Sequence, residues 1–161
     1  MIVIVMGVVG AGKTTIGIRL AEQLGWEFVD ADSFHSATSI EKISHGIPLD
    51  DQDRAPWLKA LHDAVKGWLD EGRNVVLACS ALKRSYREEI GTGPGVKVVY
   101  LKGSPEVIAE RLRLRKGHFA NAQILRSQLA TLEEPEDAVT VDVGPPPEAI
   151  VAEIRRGLGL E

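Results

Sequence analysis

Gly7-Val8-Val9-Gly10-Ala11-Gly12-Lys13-Thr14, with Thr15 next, is the stretch that decides how this chain is read. It fits G-x-x-x-x-G-K-[ST], a match expected by chance in a chain of this size about once in a few hundred. Ile2-Val3-Ile4-Val5-Met6 leads in, an apolar run with no polar face, as in a strand covered on both sides. Lys13 to Leu24 comes next, with Ile16, Leu20 and Leu24 at helical spacing and Gly25 as the stop. Each part has a chemical use. Gly7, Gly10 and Gly12 let backbone N–H groups curl around a phosphate without a Cβ clash, and the helix N-terminus adds its dipole. Lys13 brings a point charge to the β- and γ-phosphates, and Thr14 offers a hydroxyl to Mg²⁺. Residues 7–15 are the candidate nucleotide-binding set. A plain glycine turn carrying a surface lysine is the competing reading, and the strand before it and helix after it weigh against that.

Outward from this loop, buried runs alternate with helix-period segments. Further strands are expected at Trp26–Val29, Val75–Cys79, Val96–Leu101 and Val139–Val143. The clearest helix runs from Asp53 to Glu71, with Trp57, Leu58, Leu61, Val65, Trp68 and Leu69 on one face. Shorter helices are expected at 83–90, 105–115, 122–132 and 147–158, and a brief one at 39–44 inside a polar, irregular stretch. Five buried strands separated by helices imply a parallel sheet, because parallel neighbours need crossover connections. The fold class is therefore a three-layer α/β domain.

The 161 residues suffice for one domain over 1–161 with its own core. A composition of 44% hydrophobic and 26% charged residues excludes disordered and fibrous classes. A net charge of −4 and a pI near 5.6 disfavour nucleic-acid or anionic-membrane binding. One cysteine excludes an intrachain disulfide, and the start lacks the basic region of a signal peptide. With no apolar run approaching a membrane span, a cytoplasmic protein is expected.

The residues at the end of each strand narrow the kind of phosphate-loop protein. No Asn-Lys-x-Asp guanine reader exists, and the third strand ends Ala78-Cys79-Ser80 without the acid that motor ATPases carry there. The acids stand instead after the second strand, at Asp30 and Asp32. If the backbone stays extended they share one side, so one can hold a Mg²⁺-bound water while the other accepts a hydroxyl proton. His35, Lys42, His45, Arg54, Lys83, Arg84 and Arg87 lie in loops or helix starts that line the ligand crevice of doubly wound sheets, where a small anionic substrate needs one or two cations. Arg111, Arg113, Arg115, Lys116 and His118 form a basic patch, read as a lid that brings an arginine to the transferring phosphoryl group. For each of these charges a solvated surface position is the plainer alternative. Cys79 reads as a small apolar packing residue.

Longer stretches carry a resemblance. Phe28-Val29-Asp30-Ala31-Asp32-Ser33-Phe34-His35, Gly46-Ile47-Pro48-Leu49-Asp50-Asp51-Gln52-Asp53-Arg54, Ala78-Cys79-Ser80-Ala81-Leu82-Lys83-Arg84-Ser85-Tyr86-Arg87, Arg115-Lys116-Gly117-His118-Phe119 and Ser127-Gln128-Leu129-Ala130-Thr131-Leu132-Glu133 resemble the P-loop gluconokinases, relatives of shikimate and adenylate kinases. The resemblance implies a P-loop kinase fold with sheet order 2-3-1-4-5, a substrate-binding insertion at 33–72 and a lid at about 115–128. It implies transfer of the ATP γ-phosphoryl group to the 6-hydroxyl of D-gluconate, giving 6-phospho-D-gluconate for the pentose phosphate pathway. It also implies a homodimer. Lys13, Asp32 and Arg115 become the catalytic residues, with Asp32 as base. Thr14 and, through water, Asp30 become the Mg²⁺ partners, and Asp32, His35, Arg54, Lys83, Arg87 and His118 the substrate contacts. Departures from the family pattern are Val9 for Ser in the loop, Ser36 for Pro after His35, and Ala120-Asn121 for Met-Pro after the lid motif. Another small-molecule kinase, for shikimate or a different sugar acid, and a non-catalytic nucleotide switch are the alternative readings.

Overall fold

A computed structural model of the chain describes residues 1–114 and 118–160, with the backbone alone for 118–122. Strand β1 (Ile2–Met6) sits at the middle of a five-stranded sheet. It is flanked by β3 (Val75–Ala78) and β4 (Val96–Lys102), with β2 (Glu27–Asp30) and β5 (Val139–Asp142) at the edges. The order is β2-β3-β1-β4-β5, and every pairing is parallel. The expected three-layer architecture and strand order are what the chain adopts.

The helices are α1 (Lys13–Leu24), α2 (Ala37–Ser44), α3 (Asp51–Asp70), α4 (Arg84–Ile90), α5 (Pro105–Arg113), α6 (His118–Thr131) and α7 (Pro147–Leu158). β1 shows why they fall on both faces. Successive strand side chains point to opposite sides, so Ile2, Ile4 and Met6 pack with Trp57, Leu61 and Val65 of α3 and with Ile90 of α4. Val3 and Val5 pack with Ile16 and Leu20 of α1 and with Ile150, Val151 and Ile154 of α7. All five β1 residues are fully buried, which accounts for a run without a polar face. A smaller cluster joins Val8, Leu82, Ile108, Leu112 and Leu125 at the strands' carboxyl ends.

Two boundaries differ from the sequence expectation for local reasons. α3 begins at Asp51, two residues early, because Asp50 and Asp53 form a reciprocal capping box. Pro56 therefore lies inside the helix. Within 33–72, α3 belongs to the core, whereas α2 and the chain through Pro48 and Leu49 stand beside an open cleft. α6 starts at His118 and not at 122, so the described part of the expected lid, from 118 on, is helix, and Arg115 lies outside the described residues. Among the described residues no helix is long and apolar enough to cross a membrane.

Candidate active site

Parallel strands bring their carboxyl-end loops to one edge, so the loops after β1, β2 and β3 meet there. In the first, Gly10 and Gly12 have φ of 85° and 98°, a left-handed region in which side chains other than glycine are strained. Gly12 is the N-cap of α1 and offers no side-chain cap, so the first amides of the helix stay available to an anion. Lys13 Nζ donates to the Val8 carbonyl at 3.0 Å.

After β2 the chain does not stay extended. Ala31–Phe34 forms a 3₁₀ turn, and Asp30 caps it by accepting the Asp32 N–H at 2.9 Å. The other Asp30 oxygen accepts from Thr14 Oγ1 at 3.3 Å, so the two expected Mg²⁺ partners are neighbours. This corrects the picture of two acids side by side on an extended strand: Asp30 turns back to the phosphate loop, while Asp32, with 78% of its side chain exposed, stands open to the cleft. Encirclement by the cleft walls, and next the Asp30 charge, raise the Asp32 carboxyl above its ordinary value, with Lys13 and His35 pulling the other way.

His35 stacks on Trp57 with ring centres 4.5 Å apart and places Nε2 3.9 Å from Asp32. Burial lowers the His35 pKa, so the ring is neutral at pH 7, and its buried Nδ1 has no hydrogen-bond partner among the described residues. The Trp57 indole N–H donates to the Ala31 carbonyl at 2.7 Å. Trp57 thus holds the Asp32 turn from its near side by a hydrogen bond and from its far side through His35.

Arg54 lies across the cleft from the phosphate loop. Its guanidinium donates to the Tyr86 hydroxyl at 3.2 Å and lies 5.5 Å from the Tyr86 ring centre. The Tyr86 hydroxyl in turn donates to Asp51, whose carboxylate also accepts from Lys83 Nζ at 3.2 Å. Those hydrogen bonds, from Tyr86 first and Lys83 second, hold Asp51 below the usual carboxylate range. Arg54 is oriented by a ring, a hydroxyl and, at one remove, a carboxylate.

Lys13, Asp32, His35 and Arg54 border one cavity of about 120 Å³, together with Val9, Trp57, Ser80, Ser127 and Gln128. Lys83 and Arg87 do not border it. Lys83 is engaged by Asp51, and Arg87 is 9% exposed, with its guanidinium spent on the carbonyls of Ala81, Leu82 and Glu133 at 2.7, 3.2 and 2.9 Å. Of the basic patch, Arg111 donates to the Val143 carbonyl and Arg113 pairs with Glu110. Arg115 lies outside the described residues, as does the side chain of His118. Cys79 is buried with its thiol pushed up to about 12 by desolvation, in keeping with a packing role.

Arg87 holds a strained place together. Ala81, with φ of 44°, is the one non-glycine residue at positive φ among those described. Arg87→Met removes three charge-assisted bonds, to the carbonyls of Ala81, Leu82 and Glu133, of which the Leu82 carbonyl keeps the Glu133 N–H as a partner. A loss of about 2–4 kcal/mol in denaturant unfolding is expected, with kcat changed far less. The sequence does not mark Trp57, Tyr86 or Gln128 as site residues. Trp57 sits on an apolar helix face, and Tyr86 and Gln128 carry no signal beyond membership of the resembling stretches.

The model of the shikimate kinase family matches residues 9–156. A gluconokinase of Gluconobacter oxydans is 49% identical, the match covering 83% of this chain and 76% of that protein. The thermoresistant gluconokinase of Escherichia coli is 42% identical over 94% of this chain and 89% of that protein. The crystal structure of a gluconokinase from Sinorhizobium meliloti superposes with a TM-score of 0.87 at 44% identity, covering 98% of this chain and 90% of the other.

Proposed function

Because the chain belongs to the shikimate kinase family and, within it, to the gluconokinases, we propose that the cleft takes ATP on its phosphate-loop side and D-gluconate on its α2–α3 side. The chain is a kinase that phosphorylates gluconate with ATP. The observation that carries the site reading is the single cavity into which Lys13, Asp32 and Arg54 all open. A phosphate binder, an anionic proton acceptor and an oriented guanidinium are the three groups that an ATP-dependent transfer to a hydroxy acid requires.

Each residue's part comes from its setting. Residues 7–15 form the phosphate cradle, in which Lys13 and the amides at the start of α1 bind the β- and γ-phosphates while the Val9 N–H is held by Gln128 and that of Ala11 by the Val8 carbonyl. Asp32 takes the proton of the 6-hydroxyl and aligns that oxygen with the phosphorus. Neutral His35, pinned by Trp57, donates to or accepts from the acceptor without adding charge. Arg54 pairs with the gluconate carboxylate through two N–H groups. Lys83 acts one step back, holding Asp51 against Tyr86, and Arg87 holds the loop between β3 and α4. Arg115 and His118 are assigned to the lid, with an arginine stabilising the transferring group and closure excluding water. Thr14 and, through water, Asp30 fit Mg²⁺, since two hard oxygen donors already meet beside the phosphate loop. When bound, the ion neutralises charge on the β- and γ-phosphates. A cytoplasmic homodimer, with the product passed to the pentose phosphate pathway, completes the proposal.

The test is ADP release with ATP·Mg²⁺ against D-gluconate, shikimate, other sugar acids, neutral hexoses and no acceptor. Turnover with gluconate alone is expected. Turnover confined to another acceptor would discard the substrate, and ATP binding with no turnover at all would leave a nucleotide switch.

A further inference from the structure

Gln128, on α6, makes a contact that a surface glutamine does not. Its Oε1 accepts the N–H of Val9, in the phosphate loop, at 2.6 Å across 119 residues of sequence. That contact fixes which way the amide points. A backbone N–H can only donate, so the carbonyl oxygen must face Val9, and the NH₂ group with its two donors is the other arm. Gln128 borders the same cavity as Lys13, Asp32, His35 and Arg54. The helix beneath it does not drift, because Leu125 packs with Val8 and Leu112, and Leu129 lies against the same cluster.

The cavity's charged groups leave one need unmet, which falls to its neutral side chains, His35, Ser80, Ser127 and Gln128. Asp32 accepts, Arg54 suits a carboxylate, and Lys13 serves phosphate. A polyhydroxylated acid also presents several hydroxyl oxygens along its chain, and these need neutral donors whose positions tell one polyol from another. We propose, resting on the gluconate reading above, that Gln128 is a specificity-determining residue whose NH₂ donates to one hydroxyl of the acceptor. Its Oε1 bond to Val9 ties that hydroxyl to the phosphate loop, so the acceptor chain is registered against the nucleotide by a single side chain. A donor at this half-buried side chain that is shut off from water by the bound acceptor and left without its hydroxyl carries a penalty, which is how such a residue rejects an acceptor lacking that group.

The experiment measures kcat/KM for D-gluconate and for the four monodeoxy analogues that keep the 6-hydroxyl, in the wild-type chain and in Gln128→Met. The wild type should lose about tenfold on one analogue, the size of one well-made hydrogen bond. Gln128→Met should lose about tenfold on gluconate itself and show no further loss on that analogue, while KM for ATP moves little. Gln128→Glu keeps an acceptor for the Val9 N–H but has no donor, and should likewise lose discrimination of that analogue. It serves if the Met variant does not fold. A wild type indifferent to all four analogues, or variants that discriminate them as the wild type does, would overturn the proposal. Absence of gluconate-dependent turnover in the wild type would instead remove the substrate reading.

Discussion

Asp32→Asn is expected to keep the fold and the binding of ATP while losing about 10²–10⁴-fold in kcat. Asparagine can still orient a hydroxyl by hydrogen bonding, but it cannot take its proton. Turnover, equilibrium ATP binding and a thermal melt on one preparation separate these effects. An unchanged kcat would remove the base from the mechanism. The acid limb of kcat/KM should lie above the ordinary aspartate value of 3.8, because the cleft walls and Asp30 raise this carboxyl. Stability runs the other way. A group whose folded pKa is raised contributes stability that is complete below its unfolded pKa and is lost as pH climbs through the folded value. At neutral pH the ionised Asp32 therefore weighs against the fold, by an amount that solvent keeps small at a side chain 78% exposed. Asp32→Asn should melt no earlier than the wild type at pH 7. His35 has the opposite sign: its lowered pKa favours the fold above about 6.5, and that contribution fades as pH falls through the folded value.

Lys13→Met should reduce turnover by at least about 10²–10³-fold, the scale on which one preorganised charge at a developing anion acts. Here, unlike at Asp32, ATP binding should weaken as well, since the same ammonium meets the phosphates before transfer begins. Stability should fall by about 1.5–3 kcal/mol, the scale of a charge-assisted bond such as the one Lys13 makes to the Val8 carbonyl. Arginine is not a rescue: a planar fork does not fit where a compact point charge is needed. Full activity in Lys13→Met, measured as gluconate-dependent ADP release, would mean that the phosphate loop is not the nucleotide site.

How much the residues disclose by themselves is governed by range. Ile2 to Met6 announces a central strand because both its faces are covered, and the loop from Gly7 to Thr14 announces a phosphate site because its chemistry is local. The start of α3 is hidden by Asp50, Asp51 and Asp53, acids that look like a solvated loop until two of them cap each other. The turn after Asp30 is equally hidden, since an extended and a capped Asp-x-Asp have the same letters. Arg87 shows the strongest limit. Its charge suggests a ligand, yet its partners are carbonyls at 81, 82 and 133, which the fold alone brings together. Gln128 is the reverse case, an unremarked amide that the fold carries 119 positions back to the phosphate loop.

The central place of β1 also sets an order of events during synthesis. Its partners are β3, from Val75, and β4, ending at Lys102, so the segment Ile2–Met6 leaves the ribosome long before either neighbour exists. At about 5–20 residues per second the wait is roughly 4–14 seconds for β3 and about 5–19 seconds for β4. For that interval five consecutive apolar residues with strong strand preference have no sheet to join, the kind of segment that pairs with its own copies. The strand that secures the finished core is, in the nascent chain, the one in most need of a chaperone.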